Sequence, residues 1–381
     1  MPPSHYISRL RLNSFRSYTS AAIDCNSSHI VLSGANGAGK TNVLEAISLL
    51  TPGKGLRRAT ISNIAQIDAN GNCSVNWAIA LTLETPNGPI DIGTGTSLEG
   101  VRKTRINGTN AKSLQEISAY IRLLWLTPDM DSLFRGPSGD RRRFFDRLVS
   151  TLIPDHSLSV SNYEKAMRQR NKLLSERMIS ENSNDNWLNA IEAQMAQYAA
   201  AIYFARIDSL GHLQSFVNQS IDEQAFPASQ LSLTALFEDG VEPNSSASLE
   251  ARLIEHWRKN RALDKAASRT TLGPHKLDLL VTNKQKNIPA ALCSTGEQKA
   301  LLIGLILAHA RLVKKITSIT PILLLDEIGA HLDPQRREAL YDSLDALQAQ
   351  CWMSGTDKIL FESLGNRAQI FEVKLNQIIA P

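Results

Sequence analysis

Gly34-Ala35-Asn36-Gly37-Ala38-Gly39-Lys40-Thr41 fits the pattern G-x-x-x-x-G-K-[ST] at every fixed position. A backbone with glycines at this spacing curls so that its N–H groups converge on a phosphate, and a helix starting at the lysine adds partial positive charge. Lys40 then reaches the β- and γ-phosphates, the Thr41 hydroxyl can ligate Mg²⁺, and Asn42 continues the same turn. The flanks suit this chemistry. Ile30-Val31-Leu32 reads as a buried strand, and Val43, Leu44, Ile47 and Leu50 recur at helical spacing.

A second constellation lies near the other end, in Pro321-Ile-Leu-Leu-Leu-Asp326-Glu327. Four apolar residues ending in two acids predict a buried parallel strand that delivers carboxylates at its C-terminal tip, where open α/β sheets bind ligands. Asp326 is placed to hold Mg²⁺, and Glu327 to polarise an attacking water. A third stretch, Ser294-Thr295-Gly296-Glu297, opens an apolar helix 32 residues before Asp326. A serine hydroxyl and glycine N–H at a helix start make an anion site, and equally an ordinary N-cap. These residues resemble the signature of ABC-type ATPases, and Leu332-Asp333 resembles their D-loop. In that class one subunit's signature covers the γ-phosphate held by the other, so one copy of each half-site implies a C₂ homodimer with ATP at the interface.

The elements that must position these groups are separated by a long insertion, since Ser294 lies 254 positions after Lys40. At 381 residues, 43% hydrophobic and 20% charged, the chain has the composition of a soluble globular protein with an ample core. No apolar run approaches the roughly 18–20 residues that span a bilayer. The N-terminal residues lack the pattern of a signal peptide. Cys25, Cys73, Cys293 and Cys351 make no metal or disulfide spacing, so a reduced, cytoplasmic protein is expected. A net charge of +4 permits nucleic acid as a partner without demanding it.

Along the chain, residues 6–32 read as a strand pair. Arg57 and Arg58, in the loop after the first helix, either cover a bound nucleotide or face solvent. Val75–Ile106 alternates as antiparallel strands, with turns at Asn87-Gly88 and Asn107-Gly108, and Leu123–Leu126 is a further strand. Gly139–Leu152 reads as an amphipathic helix. Its Arg141, Arg142 and Arg143 suit phosphate contacts or a solvated helix start. Residues 156–219 carry two apolar stripes that pack as a short, coiled-coil-like hairpin with its bend at 180–186. Lys165, Arg168, Arg170 and Lys172 make one flank basic, and residues 239–248 read as a linker.

Five stretches, in order, carry a closer resemblance: Leu12–Tyr18, Gly34–Ile47, Pro137–Asp146, Gly273–Lys276 and Ser294–Asp333. With the inserted helical arm, they resemble the RecF family of the SMC-like ATPases. The fold expected is α/β, an ABC-type P-loop ATPase head with a mixed sheet and an antiparallel β subdomain. Residues 1–155 and 262–381 would form the head, and 156–261 the helical arm. The resemblance implies slow, DNA-stimulated ATP hydrolysis, binding to single-stranded DNA and duplex junctions, action in replication, recombinational repair and the SOS response, and RecR and RecO as partners. Candidate DNA contacts are Arg141, Arg142, Arg143, Lys165, Arg168 and Lys172. The chain departs from the family at Ser17, where Asn is commoner, and in its Thr-Gly-Glu signature. It has no switch histidine, which leaves Thr356 as the candidate γ-phosphate sensor, and no clear Q-loop glutamine, with Pro128-Asp129 the best positional candidate. An ATPase subunit driving a membrane transporter is the alternative.

Overall fold

A computed structural model describes residues 3–60, 63–66, 74, 76–96, 101–176, 181–219, 224–241, 243–375 and 377–381. The chain divides into two compact units, one formed by Met1–Ser132, Phe216–Ala228 and Cys293–Pro381, the other by Leu133–Ser215 and Ser229–Leu292.

The first unit has two sheets around one core. One is antiparallel, in the order β2-β1-β4-β5-β6-β7, from β1 (Tyr6–Phe15), β2 (Tyr18–Asp24), β4 (Ala78–Glu84), β5 (Ile90–Thr96), β6 (Arg102–Ile106) and β7 (Thr109–Asn110). The second, in the order β15-β14-β3-β13-β12-β8, contains β3 (His29–Ser33), β8 (Leu123–Leu126), β12 (Ile322–Leu325), β13 (Cys351–Gly355), β14 (Ala368–Lys374) and β15 (Gln377–Ile379). All its pairs are parallel except β14 with β15. Helix α1 (Lys40–Ser48) lies in the core between the sheets, where Val43, Leu44 and Ile47 pack with Leu10, Ile79, Leu32 and Trp352. The alternation at Ile79, Leu81 and Leu83 buries one face of β4, as the period of two requires. Residues 6–32 are a pair plus a third strand. β1 and β2 turn tightly between Phe15 and Tyr18, and β3 joins the other sheet. Helices α7 (Thr295–Thr317) and α8 (Pro334–Leu347) complete this unit.

The second unit holds α2 (Ser138–Leu152), α3 (His156–Glu176), most of α4 (Glu181–Val217), α5 (Ser246–Lys259) and α6 (Arg261–Ala266). Its three-stranded sheet comprises β9 (Ser229–Leu233), β10 (Leu279–Asn283) and β11 (Ile288–Pro289). The predicted stripes are its core: Tyr163, Met195 and Ile202 pack with Leu249, Leu253, Trp257 and Leu277. The hairpin is therefore embedded in a domain rather than projecting as a bare arm. This unit takes in α2 and residues 262–292, which the sequence reading gave to the head. Glu181–Asn186, where the sequence reading set the bend, is helical, and residue 180 lies outside the described residues; an acidic, polar stretch suits the positive end of a helix. The supposed linker at 239–248 is an intradomain loop ending at Ser245, which caps α5 by accepting from the Ser248 N–H. Among the described residues no helix is long and apolar enough to cross a membrane.

Candidate functional site

The phosphate loop connects β3 to α1, as the flanking apolar patterns predict. Two glycines are required by space and by backbone. A Cβ on Gly34 would lie 2.2 Å from the Val373 carbonyl oxygen, and one on Gly39 would lie 2.6 Å from the Tyr18 hydroxyl, at a φ of +112°. That hydroxyl is buried without a hydrogen-bond partner among the described residues. The Lys40 side chain folds back into the loop and donates to the Gly34 and Ala35 carbonyls at 2.7 and 2.9 Å. Burial lowers its pKa, and the charges of Glu327 and Asp326 oppose that shift. Asn42 donates to the Ser17 hydroxyl at 2.8 Å and accepts from Arg57 at 2.6 Å. Glu45, fully buried on α1, pairs with Arg16 at 2.6 Å and with Arg57 at 3.4 Å. Arg57 thus bonds to the first two turns of α1.

Sheet order explains how remote residues meet here. β13 lies between β3 and β12, and β12 pairs with it in the register Leu325↔Met353, so Asp326 comes level with Ser354. Thr41 donates to Asp326 Oδ1 at 2.9 Å, and Ser354 donates to the same oxygen at 2.6 Å. Burial raises the Asp326 pKa, while the hydrogen bonds from Ser354 and Thr41 lower it. Glu327 sits at φ 52°, ψ 25°, its N–H donated to Ser354 Oγ at 2.9 Å. A hydroxyl and a carboxylate side by side form the hard oxygen pair that suits Mg²⁺, and the curled loop suits a phosphate chain. Sequence reasoning placed the sensor at Thr356, which is exposed just beyond β13, and missed the buried Ser354.

Ser294 is the N-cap of α7. It accepts from the Glu297 N–H, and Glu297 in turn accepts from the Ser294 backbone in a capping box. Ser294 and Thr295 are exposed at this helix start, with Gly296 and Glu297 half-buried behind them. Asp333 caps α8 by accepting from the Arg336 N–H at 2.9 Å. Pro128-Asp129 begins a turn directly after β8, the strand next to β12.

The basic candidates divide into two groups. Arg141 is committed to a bidentate pair with Asp278 at 2.8 and 2.6 Å, and Arg142 donates to the Leu277 carbonyl at 3.0 Å. Both therefore hold α2 to the chain just before β10. Arg170 is also not on a basic flank. It is fully buried, pairing with Glu192 at 2.9 Å and Asp264 at 2.7 Å. Arg143 pairs with Asp140 but is half-exposed, and Lys165, Arg168 and Lys172 face solvent.

The motif Gly273-Pro-His-Lys276 is held by a separate set of contacts, to Arg206 and Tyr163. Arg206 donates to the Pro274 carbonyl at 2.6 Å and pairs with Asp146 at 2.8 Å; His156 also bonds Asp146 at 2.8 Å. Burial would raise the Asp146 pKa, but Arg206 and His156 outweigh it and hold the carboxyl down at about 2. His275 accepts from or donates to the Tyr163 hydroxyl at 2.7 Å, and burial depresses its pKa to about 4. Both folded values lie below the unfolded ones. Each contribution is therefore complete above its unfolded pKa and is lost as pH falls, from about 6.5 toward 4 for His275 and from about 4 toward 2 for Asp146. Asp146→Asn, which strands the Arg206 charge, is expected to destabilise by about 3 kcal/mol at neutral pH. The urea midpoint at pH 7 and pH 3 checks this, and the variant's deficit should shrink at the lower pH.

Comparison with known proteins finds relatives along almost the whole chain. Residues 6–378 match the family described as the RecF/RecN/SMC N terminal domain. The chain is 47% identical over 378 residues to the DNA replication and repair protein RecF of Rhizobium meliloti, covering 98% of each. It is 48% identical over 376 residues to that of Rhizobium leguminosarum bv. trifolii, again covering 98% of each. The fold matches a solved structure described as the recombination mediator protein RecF-ATPrS in the RecFOR pathway. The TM-score is 0.84 at 21% identity, over 100% of this chain and 99% of that one. An Smc head bound to the C-winged helix domain of ScpA matches at a TM-score of 0.56 and 16% identity, covering 99% and 97%. The transporter-subunit reading finds no support among these. The family match over residues 6–378, with 47–48% identity to curated RecF proteins along almost the full length, makes this chain a member of the RecF family of SMC-like ATPases.

Proposed function

We propose that the chain is an ATP-dependent DNA-binding protein of replication and recombinational repair, in which ATP closes a homodimer on DNA and slow hydrolysis reopens it. The observation that carries this reading is the 2.9 Å contact between Thr41 and Asp326, which joins the phosphate loop to the acidic strand tip beside Glu327. Mg²⁺ held by Thr41 and Asp326 would neutralise charge on the β- and γ-phosphates. Lys40, with the two carboxylates close by, exchanges its loop carbonyls for phosphate oxygens, and Arg57 extends over the same group. Glu327 takes the proton of the attacking water. Ser294, exposed at the positive end of a 23-residue helix, turns its hydroxyl and N–H groups to the γ-phosphate of a second protomer. Asp333 and Thr356 flank that phosphate.

The exposed Arg143, Lys165, Arg168 and Lys172 are the basic residues best placed for DNA phosphates, while Arg141 and Arg142 brace the helix that carries Arg143. The DNA is read as single strands, gaps and duplex junctions. RecR and RecO are the protein partners in loading the recombinase, and DNA stimulates the ATPase. Fluorescence anisotropy on a gapped duplex tests the reading. Binding should tighten with ATP and weaken about a hundredfold between about 50 and about 200 mM salt, if four cations each meet one phosphate. Binding indifferent to both ATP and salt would refute it.

A further inference from the structure

We propose that Ser354 is a positioning residue of the nucleotide site, one hydroxyl that sets both the metal-binding carboxylate of Asp326 and the backbone of Glu327. The inference rests on the reading of the site as a Mg²⁺–ATP site. Ser354 lies in the middle of the parallel sheet and is fully buried, following the apolar Cys351, Trp352 and Met353. A hydroxyl in such a place is costly unless it is satisfied, and this one is satisfied twice. Its proton goes to Asp326 Oδ1 at 2.6 Å, and its lone pair accepts the Glu327 N–H at 2.9 Å.

Both bonds bear on chemistry. Glu327 adopts a left-handed backbone at φ 52°, which disfavours a side chain with a Cβ and persists only where surroundings fix it. The Ser354 oxygen is the fixing partner on its N–H. Asp326 Oδ1 receives two donors, Thr41 and Ser354. Thr41 is the one that must turn its oxygen toward a metal, so Ser354 is the donor that stays and keeps the carboxylate from rotating. Thr356, two residues on, is exposed.

The test uses the full chain with Ser354→Ala, Ser354→Thr and Ser354→Val. Binding of a fluorescent ATP analogue is measured in chelator and in Mg²⁺, followed by kcat, KM and thermal melting. In chelator all three should bind within about twofold of the parent, because the phosphate loop is untouched. The gain in affinity on adding Mg²⁺ should fall about threefold or more in the Ala and Val variants and survive in the Thr variant. Their kcat should fall at least about tenfold, with KM rising no further than the lost Mg²⁺ gain explains, and Thr should restore it to within about threefold. An Ala variant that keeps both the Mg²⁺ gain and kcat overturns the proposal. So does a Thr variant that melts like the parent yet fails as Ala does. A parent chain without measurable hydrolysis would count against the ATPase reading alone, since the Mg²⁺-dependent gain still decides the role of Ser354.

Discussion

Glu327→Gln is expected to bind ATP and DNA as the parent does while its kcat falls about a hundredfold or more, the usual weight of a general base. Gln preserves volume and polarity, and the backbone N–H that donates to Ser354 is unchanged, so the left-handed turn should persist. Only the ability to take a proton is removed. The consequence reaches beyond rate. If ATP joins two protomers and hydrolysis parts them, the variant should accumulate as a closed dimer that dissociates slowly from gapped DNA. Single-turnover hydrolysis with a parallel off-rate measurement separates the two effects. Hydrolysis at the parent rate would move the water-activating role away from Glu327, with Asp333 the next carboxylate in the chain to examine.

Ser294→Arg is expected to leave ATP affinity within about twofold of the parent and to abolish ATP-induced dimerisation. In the proposed dimer residue 294 contributes to the partner's site rather than to its own, so the lost interaction should appear only on assembly. The substitution also removes an N-cap, which costs about 1 kcal/mol of helix stability. Ser294→Ala controls for that loss, because it removes the cap without filling the position reserved for the partner's γ-phosphate with a bulky side chain. The Ala variant should dimerise weakly and the Arg variant not at all, while their melting temperatures should be similar. Equal dimerisation by both would show that the cap alone matters at this position.

Contiguous chemistry was legible in the sequence. The loop Gly34–Thr41, the strand ending in Asp326-Glu327 and the helix opening at Ser294 each announce themselves by neighbours in the chain, and each stands on the predicted element. Chemistry assembled by register was not. Ser354 reads as one polar residue in a short apolar strand, and only the pairing of Leu325 with Met353 brings it to Asp326. Arg141 lies 137 residues from Asp278, so the ion pair leaves no local trace and the arginine looked free. For Arg170 a signal did exist. It falls on the same helical stripe as Tyr163, Ala166 and Leu174, all buried, and that phase alone assigns it to the interior. The helical domain was harder to bound than the head, because its edges depend on such long-range clasps rather than on composition.

Light scattering on the full chain, with and without ATP and Mg²⁺, is the most direct measurement of the proposed ATP-gated assembly. The mass should double from about 42 kDa when saturating ATP is added, and return as the nucleotide is hydrolysed or removed. A chain that stays monomeric with its nucleotide site saturated would contradict a shared site, and with it the proposal that ATP closes a dimer on DNA.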